Sequence, residues 1–212
     1  MPAELYILRH GQTDFNAERR LQGQCNSPLT ALGQRQAYAM GRALARQLGE
    51  QKQQWQFVSS PLGRTRQTSA LVCHGMGITT EPVQYDARVQ EVGLGDWEHC
   101  QIEQLLLDNP QFKARNDWYL EAPQGERLPQ VQARLRQWLE DLGEQKAIVV
   151  SHGLTGMILR AMLMNLSYEQ IWLQERPQDA LFHYHNGTLT KIAVDPLDLQ
   201  GAPELSALSA SA

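Results

Sequence analysis

The chain has 212 residues, enough for one sizeable core, and its 42% hydrophobic and 20% charged residues exclude a disordered chain and a fibre. A formal net charge of −4 argues against a general nucleic-acid binder, and no apolar run approaches the ~20 residues that span a bilayer. Cys25, Cys73 and Cys100 form an odd, widely spaced set, which predicts free thiols in a reducing cytoplasm rather than a disulfide framework or a zinc knuckle.

The opening MPAELYIL lacks the basic and long apolar regions of a secretory leader and runs straight into a buried strand at 4–8. A loop follows, and the first helix starts where Thr30 can cap it, with Leu32, Ala37, Met40, Leu44 and Leu48 at roughly helical spacing. Strands are predicted at 55–59, 80–84 and 147–151, and helices at 62–75, 101–108, 127–142 and 153–164. QERPQD around Pro177 reads as a connection. Strands at 180–185 and 189–194 are split by Asn186-Gly187, a hairpin turn signal. The alternation predicts a three-layer α/β fold: a mainly parallel sheet with an antiparallel edge hairpin and helices on both faces. One domain is expected over 1–195, followed by a small, polar, mobile tail over 196–212.

Three predicted strands end in unusual polar residues. The first ends in Arg9-His10-Gly11, the second runs into SSPLGRTRQT with Arg64 on the next helix, and AIVVS ends in His152-Gly153. In open α/β sheets ligands bind outside the carboxyl ends of the strands, so two arginines and two histidines are expected to converge there. Arginine forks suit phosphate oxygens, and the pair makes a dianion site that needs no metal or cofactor. Their charges disfavour the imidazolium, keeping His10 neutral and able to attack phosphorus. His152 would donate to the phosphoryl oxygens, and Gly11 and Gly153 would let backbone approach the anion.

LRHGQTDFN, RLQGQCNSPLTALGQRQA, SSPLGRTRQTS, EVGLGDWE and VVSHG, in that order over about residues 5–165, resemble the histidine phosphatase superfamily, the phosphoglycerate-mutase-like group. The resemblance implies that fold and a phosphorylated His10, with Arg9, Arg64 and His152 as its phosphate pocket. It further implies that Asn16, Gln22 and Gly23 contact phosphate or substrate, and that Glu91 is the proton donor. One carboxylate can protonate the leaving alkoxide and then activate water, and a bound dianion favours its protonated form. Asp86 and Asp96 are its rivals by position. The chain departs from the family pattern at His99, where glycine is common, and at PQGERL over 123–128.

Other polar residues carry two readings each. Arg66 is read as a solvated charge on the face beside Arg64; Arg19 and Arg20 either are solvated or greet an anionic leaving group. His183 and His185 share a strand face without a visible third metal ligand. Trp97 and Trp118 are read as packing residues and Cys25 as a passive loop residue. The segment 92–122 reads as a lid; it carries Asp96, Glu98, Glu103, Asp108, Asp117 and Glu121 against only Lys113 and Arg115. A mutase needs extra cations for its substrate's second anion, so the expected activity is hydrolysis of a small phosphorylated metabolite. A phosphoglycerate mutase and a non-catalytic phospho-ligand binding module are the alternatives, and neither nucleic acid nor membrane is expected as a partner.

Overall fold

The computed structural model describes residue 2 and residues 4–200. Its strands are β1 (Glu4–Arg9), β2 (Gln56–Ser59), β3 (Val83–Tyr85), β4 (Lys146–Ser151), β5 (Ala180–His185) and β6 (Thr188–Ala193). Its α-helices are α1 (Asp14–Ala17), α2 (Ala31–Leu48), α3 (Gly63–Met76), α4 (Ile102–Asp108), α5 (Leu128–Leu142), α6 (Gly153–Leu163) and α7 (Tyr168–Ile171), with short 3-10 turns between several of them. The strands form one sheet in the order β3-β2-β4-β1-β5-β6. β1, β2, β3 and β4 are parallel; β5 runs antiparallel to β1 and forms the edge hairpin with β6.

The central strands are apolar throughout because both sheet faces are covered. Alternation along β1 sends Tyr6 and Leu8 to one face, against Met40 and Leu44 of α2 and Val72 of α3. Leu5 and Ile7 go to the other, against Leu135 of α5 and Ile158 of α6. The result is the predicted three-layer α/β fold, with α2 and α3 on one side and α5 and α6 on the other.

Local chemistry sets the element ends. Thr30 caps α2 by accepting from Gly33 N–H at 3.0 Å. Leu32, expected on the helix's apolar stripe, is instead 37% exposed on its first turn. The third strand begins later than expected because Pro82 has no N–H to pair; Val83 N–H closes a turn onto Thr80 O, and pairing starts there. At the other end of the chain, 196–200 turns back onto α2, where Asp198 meets Arg46 at 2.7 Å. The rest of the segment expected to be a tail, 201–212, lies outside the described residues.

Candidate active site

β2, β4 and β1 end side by side, and sheet hydrogen bonding continues one residue past their ends. His10 N–H donates to Ser151 O and Ser60 N–H to Val150 O, each at 3.0 Å. This register aligns Arg9, His10, Ser60 and His152 along one edge, and the first turn of α3 brings in Arg64. They border a cleft of about 430 Å³ whose lining includes Arg9, His10, Asn16, Gln22, Gly23, Arg64, Glu91 and Gly153. His152 stands behind His10, ring centroids 5.2 Å apart. The structure thus brings together Arg9, His10, Asn16, Gln22, Gly23, Arg64, Glu91, His152 and Gly153, but not Gly11.

The two histidines are held as the same Nδ1–H tautomer by opposite nitrogens, His10 through Nδ1 and His152 through Nε2. His10 is 2% exposed, and its Nδ1 lies 2.8 Å from Gly11 O. A carbonyl only accepts, so Nδ1 carries the proton and Nε2 keeps its lone pair. His152 Nε2 lies 2.7 Å from Ser60 Oγ, which already accepts from Leu62 N–H. The Ser60 hydroxyl proton finds no other acceptor among the described residues and goes to Nε2, so the neutral His152 ring carries its hydrogen on Nδ1. Burial, then the cations of Arg64 and Arg9, holds His10 well below the usual histidine range, against the pull of its bond to Gly11. Burial and Arg64 do the same to His152. The expectation of a neutral His10 named the flanking charges; burial is the larger cause.

Arg64 is fully buried and donates to Cys25 O at 2.8 Å and Gly23 O at 2.7 Å. Burial and the charges of Arg176 and Arg64 lower the Arg9 pKa to about 10. Six buried side-chain nitrogen or oxygen atoms lack a partner among the described residues, and four belong here: Arg9 Nε, Arg64 Nε, His152 Nδ1 and Gln22 Oε1. Buried polar groups are otherwise almost always bonded, so their gathering marks a place for a polar ligand. Three of the four are donors, which suits an anion.

Glu91 sits on the opposite wall, 8% exposed, at the N-terminus of α6. It accepts from Leu154 N–H and Thr155 N–H at 3.2 and 2.9 Å, from the Thr155 hydroxyl at 3.1 Å and from Val92 N–H at 3.0 Å. Its loop is pinned from outside: Arg134 donates to Glu91 O, and Glu126, paired with Arg134 at 3.0 Å, accepts from Gly93 N–H. The rivals do not line the cleft. Asp86 is tied up by Arg88 at 2.7 Å at the end of β3.

Gly23 is required by its backbone, since φ is +53 and a Cβ would meet Glu98 Oε1 at 2.3 Å. Glu98 in turn accepts from Gln24 N–H and Cys25 N–H, shaping the loop whose carbonyls hold Arg64. Gly11, expected to serve the anion, has a different reason: a Cβ there would strike Gly33 O at 2.1 Å where α2 crosses. His99 has φ +69, which explains why glycine suits that position.

The remaining expectations sort as follows. Arg20 lines the cleft, whereas Arg19 does not. Arg66 lies over the Tyr85 ring at 3.9 Å, away from the cleft. Trp97 and Trp118 pack with Phe112, and the neighbouring Tyr119 faces the cleft instead. Burial and Glu98 push the Cys25 thiol up, consistent with a passive residue, and all three cysteines are unpaired. His183 and His185 both face Glu4, at 2.7 and 3.9 Å, and no three metal-ligating side chains cluster among the described residues. Ser60, Tyr119, Arg176 and Gln178 were not anticipated. Gln178 bonds His10 O at 3.2 Å and Asn16 Oδ1 at 2.8 Å, so only the amide NH2 of Asn16 is left to face a ligand oxygen.

The family model of the histidine phosphatase superfamily (branch 1) matches residues 5–196. The chain belongs to the histidine phosphatase superfamily. A Salmonella paratyphi C protein named "Probable phosphoglycerate mutase GpmB" is 32% identical over 183 residues, covering 82% of this chain and 79% of that one. Among solved structures, YhfR of Bacillus stearothermophilus is 30% identical with a TM-score of 0.71, over 91% of this chain and 96% of that one. A mycobacterial glucosyl-3-phosphoglycerate phosphatase in complex with VO3 is 28% identical with a TM-score of 0.74, over 90% and 96%. The fold is thus that of the phosphoglycerate-mutase-like enzymes. No helix among the described residues is long and apolar enough to cross a membrane.

Proposed function

We propose that this protein is a cytoplasmic, metal-independent phosphatase that hydrolyses a small phosphomonoester through a covalent phosphohistidine. The observation that carries the reading is the bond from His10 Nδ1 to Gly11 O, which leaves the Nε2 lone pair free beside two buried guanidiniums. Nε2 attacks phosphorus as the ester P–O bond breaks, and a protonated Glu91 gives its proton to the leaving oxygen. Arg9, Arg64 and the Nδ1–H of His152 bind the three equatorial oxygens, whose charge peaks in the transition state. The Asn16 amide, Gln22 and backbone at Gly23 and Gly153 complete the binding surface. Water then attacks phosphorus, Glu91 takes its proton back, and the P–N bond breaks to release phosphate and neutral His10.

A mutase reading has support in the relatives' names and in two further cleft arginines, Arg20 and Arg176. Against it, the lid segment supplies Leu94, Ile102 and Tyr119 to the cleft but neither of its cations. Arg115 of that segment is held by Asp117 and Glu121. The experiment is incubation with p-nitrophenyl phosphate and 3-phosphoglycerate under exhaustive chelation. Stoichiometric release of inorganic phosphate from both supports the phosphatase. Formation of 2-phosphoglycerate without phosphate release supports the mutase, and activity that needs an added divalent ion overturns metal independence.

A further inference from the structure

Resting on that reading, we propose that the leaving group carries a second anion, carboxylate or phosphate, and that Arg176, over the Tyr119 ring, is the residue that recognises it. Four arginines and one carboxylate line the cleft. Arg20 is answered from outside by Glu18 at 2.8 Å, and a phosphate dianion answers Arg9 and Arg64. When Glu91 is protonated for its acid role, the charge of Arg176 has no counterpart. Its guanidinium makes no hydrogen bond or ion pair to the described residues and lies 5.4 Å from the Tyr119 ring centroid. It still bears on the site, because its charge contributes to lowering the Arg9 pKa.

This arginine is presented by a fixed backbone. Arg9 Nη1 donates to Arg176 O, Arg160 Nη2 donates to Glu175 O at 2.7 Å, and Gln174 Nε2 donates to Met157 O at 2.9 Å. On the far side Gln178 Nε2 donates to His10 O at 3.2 Å, so the segment is anchored before and after Arg176, whose Cδ comes within 3.6 Å of a Cβ built on Gly153. A solvated surface arginine needs no such anchoring. Leu21, Leu94 and Ile102 give the cleft an apolar wall, so a short carbon skeleton can lie between the two anion ends.

The test uses phosphonates, which cannot turn over, so that it does not depend on catalysis. Titration calorimetry compares 3-phosphonopropionate and propane-1,3-bisphosphonate with propylphosphonate, all on three carbons. The wild type should bind at least one two-anion ligand about 10- to 100-fold more tightly than propylphosphonate, the scale of one charge-assisted contact. Arg176→Gln should remove most of that preference and Arg176→Lys should retain part of it. Which ligand gains decides between carboxylate and phosphate. Equal binding of all three, or a preference untouched in Arg176→Gln, overturns the proposal. Failure of the phosphatase reading would show separately, as absent hydrolysis of p-nitrophenyl phosphate by the same wild-type preparation.

Discussion

At the floor of the cleft, Arg9, His10, Ser60 and His152 leave the ends of strands whose two faces are fully covered. At its mouth, Arg20, Tyr119 and Arg176 come from a loop, a one-turn 3-10 helix and a connection between α7 and β5. The floor is largely buried and its groups are locked, His10 by Gly11 O and His152 by Ser60 Oγ, whereas the side chain of Arg176 is exposed and unbonded. The contrast follows the chemistry. A phosphoryl group has the same shape in every substrate and rewards donors fixed in advance, which cost no reorganisation during reaction. A leaving group differs between substrates, and segments that are not part of the sheet can change to meet it without disturbing the floor.

Glu91 lies between the two regions and gives the largest effect that separates them. Glu91→Gln should slow glycerol 3-phosphate by about 10²–10⁴-fold, the usual share of general acid catalysis. The burst rate with p-nitrophenyl phosphate, whose leaving group scarcely needs a proton, should fall far less. Equal losses would place Glu91 on the phosphate side only. Arg64→Ala should cost about 10²–10³-fold on both substrates alike, because both present the same phosphoryl group. A loss confined to one substrate would move Arg64 out of the floor.

The same contrast explains what the sequence disclosed. Arg9, His10 and His152 were legible because each ends a run of buried apolar residues, a place where a cation or imidazole has no structural reason to be. Arg64 was legible from its place in the first turn of the next helix, and the layers from the alternation of strands and helices. Arg176 meets Arg9, and Gln178 meets His10 and Asn16, across more than 160 residues, from a segment with no periodicity, so nothing local marks them. Ser60 sat inside a quoted motif, yet its bond to His152 depends on β2 and β4 pairing in one register. Trp118 and Tyr119 are adjacent aromatics, and only the path of the 3-10 turn decides which packs and which faces the cleft.

Two smaller effects sharpen the account of the floor. Ser60→Ala frees the His152 tautomer without touching substrate, so kcat should fall about 5- to 30-fold with a smaller change in KM. Ser60→Thr should restore most of it, and a pure KM effect would argue that Ser60 contacts substrate. Acid stability follows from the two depressed histidines, whose ordinary value is 6.5. As pH falls below that value the unfolded chain binds protons and the native state does not. Stability is therefore complete above about pH 6.5 and declines below it, by up to about 1.4 kcal/mol per pH unit for each histidine. Urea unfolding at pH 7 and 5.5 should show the decline, and His10→Gln should lessen it. An unchanged decline in that variant would mean that His10 is already protonated in the native state.

The central claim is that Nε2 of His10 carries the phosphoryl group during turnover. Rapid acid quench with a ³²P-labelled aryl phosphate should trap label on the protein within the burst of leaving-group release. The linkage should be acid-labile and base-stable and should map to His10. The His10→Ala protein should show neither label nor turnover. Label on another residue, or normal turnover in His10→Ala, would contradict the account.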